Sequence, residues 1–197
     1  MKPAYLFIDG SNLYFDWLSV SHQSMDIRKF IDLVRRKFPE YDIRRTYFYC
    51  TALPDNAGQE RFLHSIGCIP YVQVVEGGVK SKGISIGEET ATVATDQGSD
   101  VNLAVDMVYH ALKGHYDTAI LVSRDSDFMG AVQRVKDEGK SVELCILKEK
   151  ADMAKKLRHK ADNTRFIDPY DYQGIYRTFQ KKEGDDQNAE VKLGDGC

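Results

Sequence analysis

Two rhythms of apolar and polar positions alternate along the chain. Short, mainly apolar runs recur at 4–8, within 45–53, at 69–75, at 119–122 and at 142–147, unbroken at 4–8 and 119–122. Runs of this length, rich in β-branched and aromatic residues and closed by polar ones, predict strands buried on both faces. Between them the period becomes helical. Residues 26–38 set Ile27, Phe30, Ile31, Val34 and Phe38 on one face and Arg28, Lys29, Arg35 and Arg36 on the other, with Asp26 as the cap and Pro39 as the stop. Further helices are expected over 13–20, over 57–66 with Gly67 closing it, over 126–138, and over 151–160. A helix over 99–109 is expected to begin on Ser99 as its cap and to carry an apolar stripe at Val101, Ala104, Val105 and Val108. A last element over 166–179 is expected to pack on the sheet.

Strands alternating with helices at this spacing predict one α/β domain with a mainly parallel central sheet, over 1–180. Residues 76–96 break the alternation with Gly77, Gly78, Gly83 and Gly87 between short stretches, which reads as a hairpin or a mobile loop. Residues 181–197 lack aromatics and any apolar period, and are expected to be a disordered polar tail.

Composition adds limits. The 197 residues are 42% apolar with a net charge of −3, so nothing marks a broad electrostatic nucleic-acid binder, although a local basic face stays open. Four cysteines form no C-x-x-C pair, and Cys50 and Cys145 fall in strand-like runs, as buried thiols of a reducing compartment would. No signal-peptide pattern and no apolar stretch of bilayer length is present, so a cytoplasmic protein with no membrane partner is expected.

The candidate chemistry sits where expected strands hand over to helices. The first run ends in Asp9-Gly10-Ser11-Asn12 and the fourth in Ser123-Arg124-Asp125-Ser126-Asp127, while Asp100 falls in the first turn of the helix begun by Ser99. Each acid alone is also a good helix cap. In a parallel sheet, however, these junctions share the carboxyl edge, where open α/β sheets bind ligands. If the three elements are neighbours, Asp9, Asp100, Asp125 and Asp127 meet, and like charges that close stay ionised only with a cation between them. Oxygen donors without thiolate or imidazole select Mg²⁺ or Mn²⁺, which suits phosphoryl chemistry. Asp106 lies nearly two turns beyond Asp100, rotated away, and reads as structural. No P-loop and no H-E-x-x-H motif occurs, and Ser11 stands where a haloacid-dehalogenase-type phosphatase would carry its second Asp. Between Lys148 and Lys160 six basic residues face two acids, a local excess of four that makes Lys155 and Lys156 the candidate phosphate-backbone contacts, or else a solvated face.

Three blocks then carry a resemblance. Phe7-Ile8-Asp9-Gly10-Ser11-Asn12-Leu13, Gly98-Ser99-Asp100-Val101-Asn102-Leu103-Ala104-Val105-Asp106 and Leu121-Val122-Ser123-Arg124-Asp125-Ser126-Asp127-Phe128, in this order, resemble the signature blocks of the NYN domain, in the LabA-like branch of the PIN-like nuclease superfamily. The resemblance implies a Rossmann-like three-layer sandwich and an endoribonuclease dependent on Mg²⁺ or Mn²⁺, acting on single-stranded RNA. It implies that Asp9, Asp100, Asp125 and Asp127 are catalytic and metal-site acids, and that Asn12 and Ser123 support the site; Ser11 and Arg124, beside them in the same blocks, are further candidate substrate contacts. Two positions depart from the pattern: Gln97 where a Lys is expected, and Arg124 where a Gly is more usual. An RNA-binding or regulatory module without turnover and a small-molecule phosphatase are the alternative functions; a homodimer is left open.

Overall fold

The computed structural model describes residues 1–21, 23–51, 56–86 and 89–177, with the strand path alone for 79–86 and 89–97. His22 and the tail expected over 181–197 lie outside the described residues. The elements are β1 (Lys2–Asp9), α1 (Gly10–Val20), α2 (Ile27–Lys37), β2 (Tyr41–Thr51), α3 (Ala57–Gly67), β3 (Val72–Ile86), β4 (Glu89–Gln97), α4 (Ser99–Leu112), β5 (Thr118–Val122), α5 (Met129–Asp137), β6 (Ser141–Leu147), α6 (Lys155–Lys160) and β7 (Asn163–Ile167), with short 3-10 turns at Ser126–Phe128, Lys148–Lys150 and Pro169–Ile175.

The strands form one sheet in the order β4-β3-β2-β1-β5-β6-β7. All pairings are parallel except β3 with β4. The three-layer α/β architecture expected from the sequence is therefore present. β1 lies at the middle because Leu6, Phe7 and Ile8 are fully buried and must be covered on both faces. Leu6 and Ile8 join a core with α1, α2, α3 and the Pro169–Ile175 turn. Phe7 points the other way, into a core with α4, α5 and α6, where it stacks on Tyr47 at 5.6 Å.

Several expectations need correcting. The hairpin reading of 76–96 holds: β3 runs on past its pairing with β2 and folds back as β4, from Gly78↔Gln97 to Ile86↔Glu89. In α4 the buried face is Leu103, Met107 and Ala111; Val101 and Val105, placed in the expected core stripe, are more than half exposed. Ser99 does not cap that helix either; Gly98, at φ 97°, is the cap residue and Ser99 is buried. Gly67 belongs to α3 and does not close it, and the left-handed position nearby is Tyr71 at φ 64°. The basic helix begins only at Lys155, after turns over 151–154. The last element is two elements, β7 and a 3-10 turn that buries Tyr172 and Ile175.

Candidate metal and nucleic-acid site

β1 and β5 are neighbours with Ile8 opposite Val122, so Asp9 and Ser123 leave the sheet side by side. Asp9 is 4% exposed. Its Oδ1 accepts the Asn12 N–H at 2.9 Å and its Oδ2 accepts the Ser123 hydroxyl at 2.9 Å. The first of these bonds is the N-cap of α1, so Asp9 is both a cap and the buried acid of the edge. Gly10 makes this packing feasible: a Cβ there would lie 2.6 Å from the Tyr49 carbonyl oxygen.

The hydrogen bonds continue along the second loop. Ser123 Oγ accepts the Asp125 N–H at 3.1 Å, and Asp125 Oδ1 accepts the Asp127 N–H at 2.9 Å. Asn12 Oδ1 accepts the Arg124 N–H at 3.3 Å, tying the loop after β5 back to α1. Asp100 arrives from the third direction. Gly77, where β3 ends its pairing with β2, admits the start of α4, for a Cβ there would meet Ser99 N at 2.7 Å.

The electrostatics follow from this packing. Burial pushes the Asp9 carboxyl up to about 6; hydrogen bonds from Asn12 and Ser123 oppose the rise, and the negative charges of Asp100 and Asp125 add to it. Charges from the start of α4 and from the loop after β5 are thus felt at Asp9, on the carboxyl edge. Asp127 is exposed and sits one step further out. Among the described residues no group of three or more His, Cys, Asp or Glu side chains is placed so that it could hold a metal ion, so the expected meeting of four acids is not present as a ready ligand set. Asp106 is separate from the site and accepts the Tyr49 hydroxyl at 2.9 Å, a structural role as expected.

Arg124 turns toward α1, where its Nε bonds Asp16 Oδ1 at 2.7 Å. Asp16 went unremarked in the sequence, although an acid beside Leu13 and Trp17 on the inward face of α1 needs a buried cation, and that was the available signal. Lys155 and Lys156 are exposed on α6, which packs beside α5 and the Ser126–Phe128 turn and so lies next to the acidic edge. Beyond them Arg158 lies over the Phe166 ring at 5.1 Å, bordering an open depression that Lys155, Asn163 and Thr164 also line.

The model of the NYN domain matches residues 3–171. The chain belongs to the NYN domain family. That membership places it broadly among PIN-like nucleases, which generally depend on divalent metal ions, while NYN domains generally bind RNA. A solved structure, described as a protein of unknown function VPA0982 from Vibrio parahaemolyticus RIMD 2210633, is similar with a TM-score of 0.64 at 20% identity, over 89% of this chain and 96% of that one. That likeness shows the fold alone. No curated protein matches the sequence. Among the described residues no helix is long and apolar enough to cross a membrane.

Proposed function

We propose that this NYN domain is a cytoplasmic, LabA-like endoribonuclease that cleaves single-stranded RNA with Mg²⁺ or Mn²⁺. The observation that carries the reading is Asp9, buried at the carboxyl edge of a parallel sheet and held above the ordinary carboxylate range by burial, with the negative charges of Asp100 and Asp125 adding to the rise. A divalent ion fits this donor set chemically, since all the donors are hard oxygens whose charges oppose one another. Asp9, Asp100 and Asp125 would hold it, with Asp127 at the outer rim and water completing the shell. When bound, the ion supplies a Lewis acid and an activated water for attack on phosphorus.

The protein's own residues do the positioning. Ser123 and the Asn12 N–H fix both oxygens of Asp9, so this carboxylate cannot swing. Asn12 and Arg124 brace the two loops against each other, and Asp16 holds the Arg124 side chain in place. Ser11 offers a hydroxyl in the first turn of α1, and Lys155 and Lys156 offer charge to a backbone approaching from α6. A second reading, RNA binding without turnover, is favoured by one observation: among the described residues no group of three His, Cys, Asp or Glu side chains is placed to hold a metal ion.

The test is cleavage of a labelled unstructured RNA with Mn²⁺, with Mg²⁺ and with EDTA. Metal-dependent cutting that Asp9→Asn and Asp125→Asn abolish, while both variants keep the native circular dichroism, supports the nuclease. Tight binding without cutting supports the second reading. Hydrolysis of small phosphomonoesters with intact RNA would make the protein a phosphatase instead.

A further inference from the structure

The exposed face of α1 carries three large apolar side chains that no described residue covers. Tyr14 is 60% exposed, Phe15 66% and Leu18 46%. The two rings meet edge to face, with centroids 5.5 Å apart and planes at 69°. Scattered apolar residues on a surface need no explanation, but two adjacent aromatics with a leucine on the same face do. In helical projection Ser11, Phe15 and Leu18 fall in one row, with Tyr14 beside them. That row starts one residue into the helix that Asp9 caps and leads away from the acidic edge.

We propose that Tyr14 and Phe15 form a stacking platform for unpaired bases of the strand whose backbone lies at the acidic edge. This rests on the nuclease reading above. The argument for this occupant is continuity and size. Both rings stand within the first two turns of the helix whose cap is the central acid, roughly 9 Å along its axis at 1.5 Å per residue, within reach of a strand with a phosphate at Asp9. A base has a π-face of any sequence, and stacking on an aromatic ring needs no hydrogen-bonding code. A second copy of the chain fits less well. At roughly 200 Å² for each side chain, the three expose on the order of 350 Å², under half of the roughly 800 Å² that each partner gives a standard interface. A platform of this kind favours single strands, because paired bases present no free face.

The test measures binding apart from cutting. A fluorescent unstructured RNA and an abasic strand of the same length are titrated with the full chain in EDTA, where cleavage is off. Tyr14→Ala and Phe15→Ala should each weaken binding of the RNA by about 5- to 150-fold. They should leave the abasic strand unaffected and the slope of log affinity against log salt unchanged, since neither residue carries charge. Tyr14→Phe and Phe15→Tyr should retain binding. Equal losses for the abasic strand, no loss at all, or the same loss in the aromatic replacements overturns the platform. A dimer by sedimentation that Phe15→Ala dissociates overturns it in favour of a second copy. If the wild type binds and cleaves RNA but the alanine variants bind as well as it does, only the platform fails. If the wild type binds no RNA, the nuclease reading falls with it.

Discussion

Replacing Asp9 by Asn should make the metal-free protein more stable while ending its proposed activity. The folded carboxyl is raised from 3.8 to about 6, because it is 4% exposed and faces Asp100 and Asp125. A folded acid that holds its proton more tightly than the unfolded one favours folding only while protonated. Stability is therefore lost as pH rises from about 4 to about 6 and stays lost above that. Two pKa units correspond to about 3 kcal/mol. Asn is nearly isosteric and uncharged. Its oxygen can still accept the Asn12 N–H, and its amide can donate to Ser123 Oγ, which has a lone pair beyond the one used by Asp125. The variant should then gain about 2 to 3 kcal/mol at pH 8 in EDTA, and the gain should shrink towards zero near pH 4.

Urea denaturation of both proteins at the two pH values measures this directly. Addition of Mn²⁺ at pH 8 should raise the midpoint of the wild type and leave that of Asp9→Asn unmoved. Should Asp9→Asn prove less stable than the wild type at pH 8 without metal, or should the difference be the same at both pH values, the argument from burial and neighbouring charge is wrong and Asp9 is simply a cap. In that case Asp9→Ala should show the ordinary loss of a helix N-cap side chain, about 1 kcal/mol, since Asn caps about as well as Asp.

Arg124→Ala should cost about 3 kcal/mol in urea denaturation, because it strands the buried Asp16 carboxylate, and adding Asp16→Asn should recover most of it. Gly77→Ala should cost about 1 to 3 kcal/mol, since its Cβ would strike Ser99 N and push the start of α4 outward; RNA cleavage, measured well below the melting point, should fall further than Tm does, because Asp100 moves with it. Neutralising Lys155 and Lys156 together to Gln should weaken RNA binding and flatten the salt slope by about 1.4, at about 0.7 per phosphate contact on a single strand. An unchanged slope in a fluorescence titration would take α6 out of the RNA path.

The strands were readable because they are buried on both faces. β1, β5 and β6 must be nearly continuous in apolar residues, and such runs stand out at any register. β7 broke that rule. As an edge strand reading Asn-Thr-Arg-Phe-Ile it buries only Ile167 fully, so it carried no run to notice. In α4 the difficulty was an excess of signal. Two apolar stripes share that helix, and a 100° period says that a face exists without saying which one meets the sheet. Leu103, Met107 and Ala111 win because Gly77 and Gly98 fix how the helix enters, a constraint that acts across the sheet and not along it.

At the candidate site the sequence posed a choice between capping acids and a charged cluster, and the geometry removes the opposition for Asp9 and Asp125. Asp9 caps α1 and Asp125 caps the 3-10 turn after β5, each through one carboxylate oxygen. Capping aims these carboxylates at the helix N-termini, and the parallel order of β1 and β5 brings those termini together. A local rule thus supplies the residues and the topology supplies the convergence. The Arg124–Asp16 pair, 108 residues apart in sequence, shows what neither rule can foresee. It forms only once β5 delivers its loop onto α1. Because it takes up the Arg124 guanidinium, the one cation in the loop after β5 is turned to Asp16 and not to Asp9. The charge on Asp9 itself can be met by a proton or by a divalent ion, and the pH dependence of Asp9→Asn stability, read with and without Mn²⁺, distinguishes a site built to use the buried charge from one that merely tolerates it.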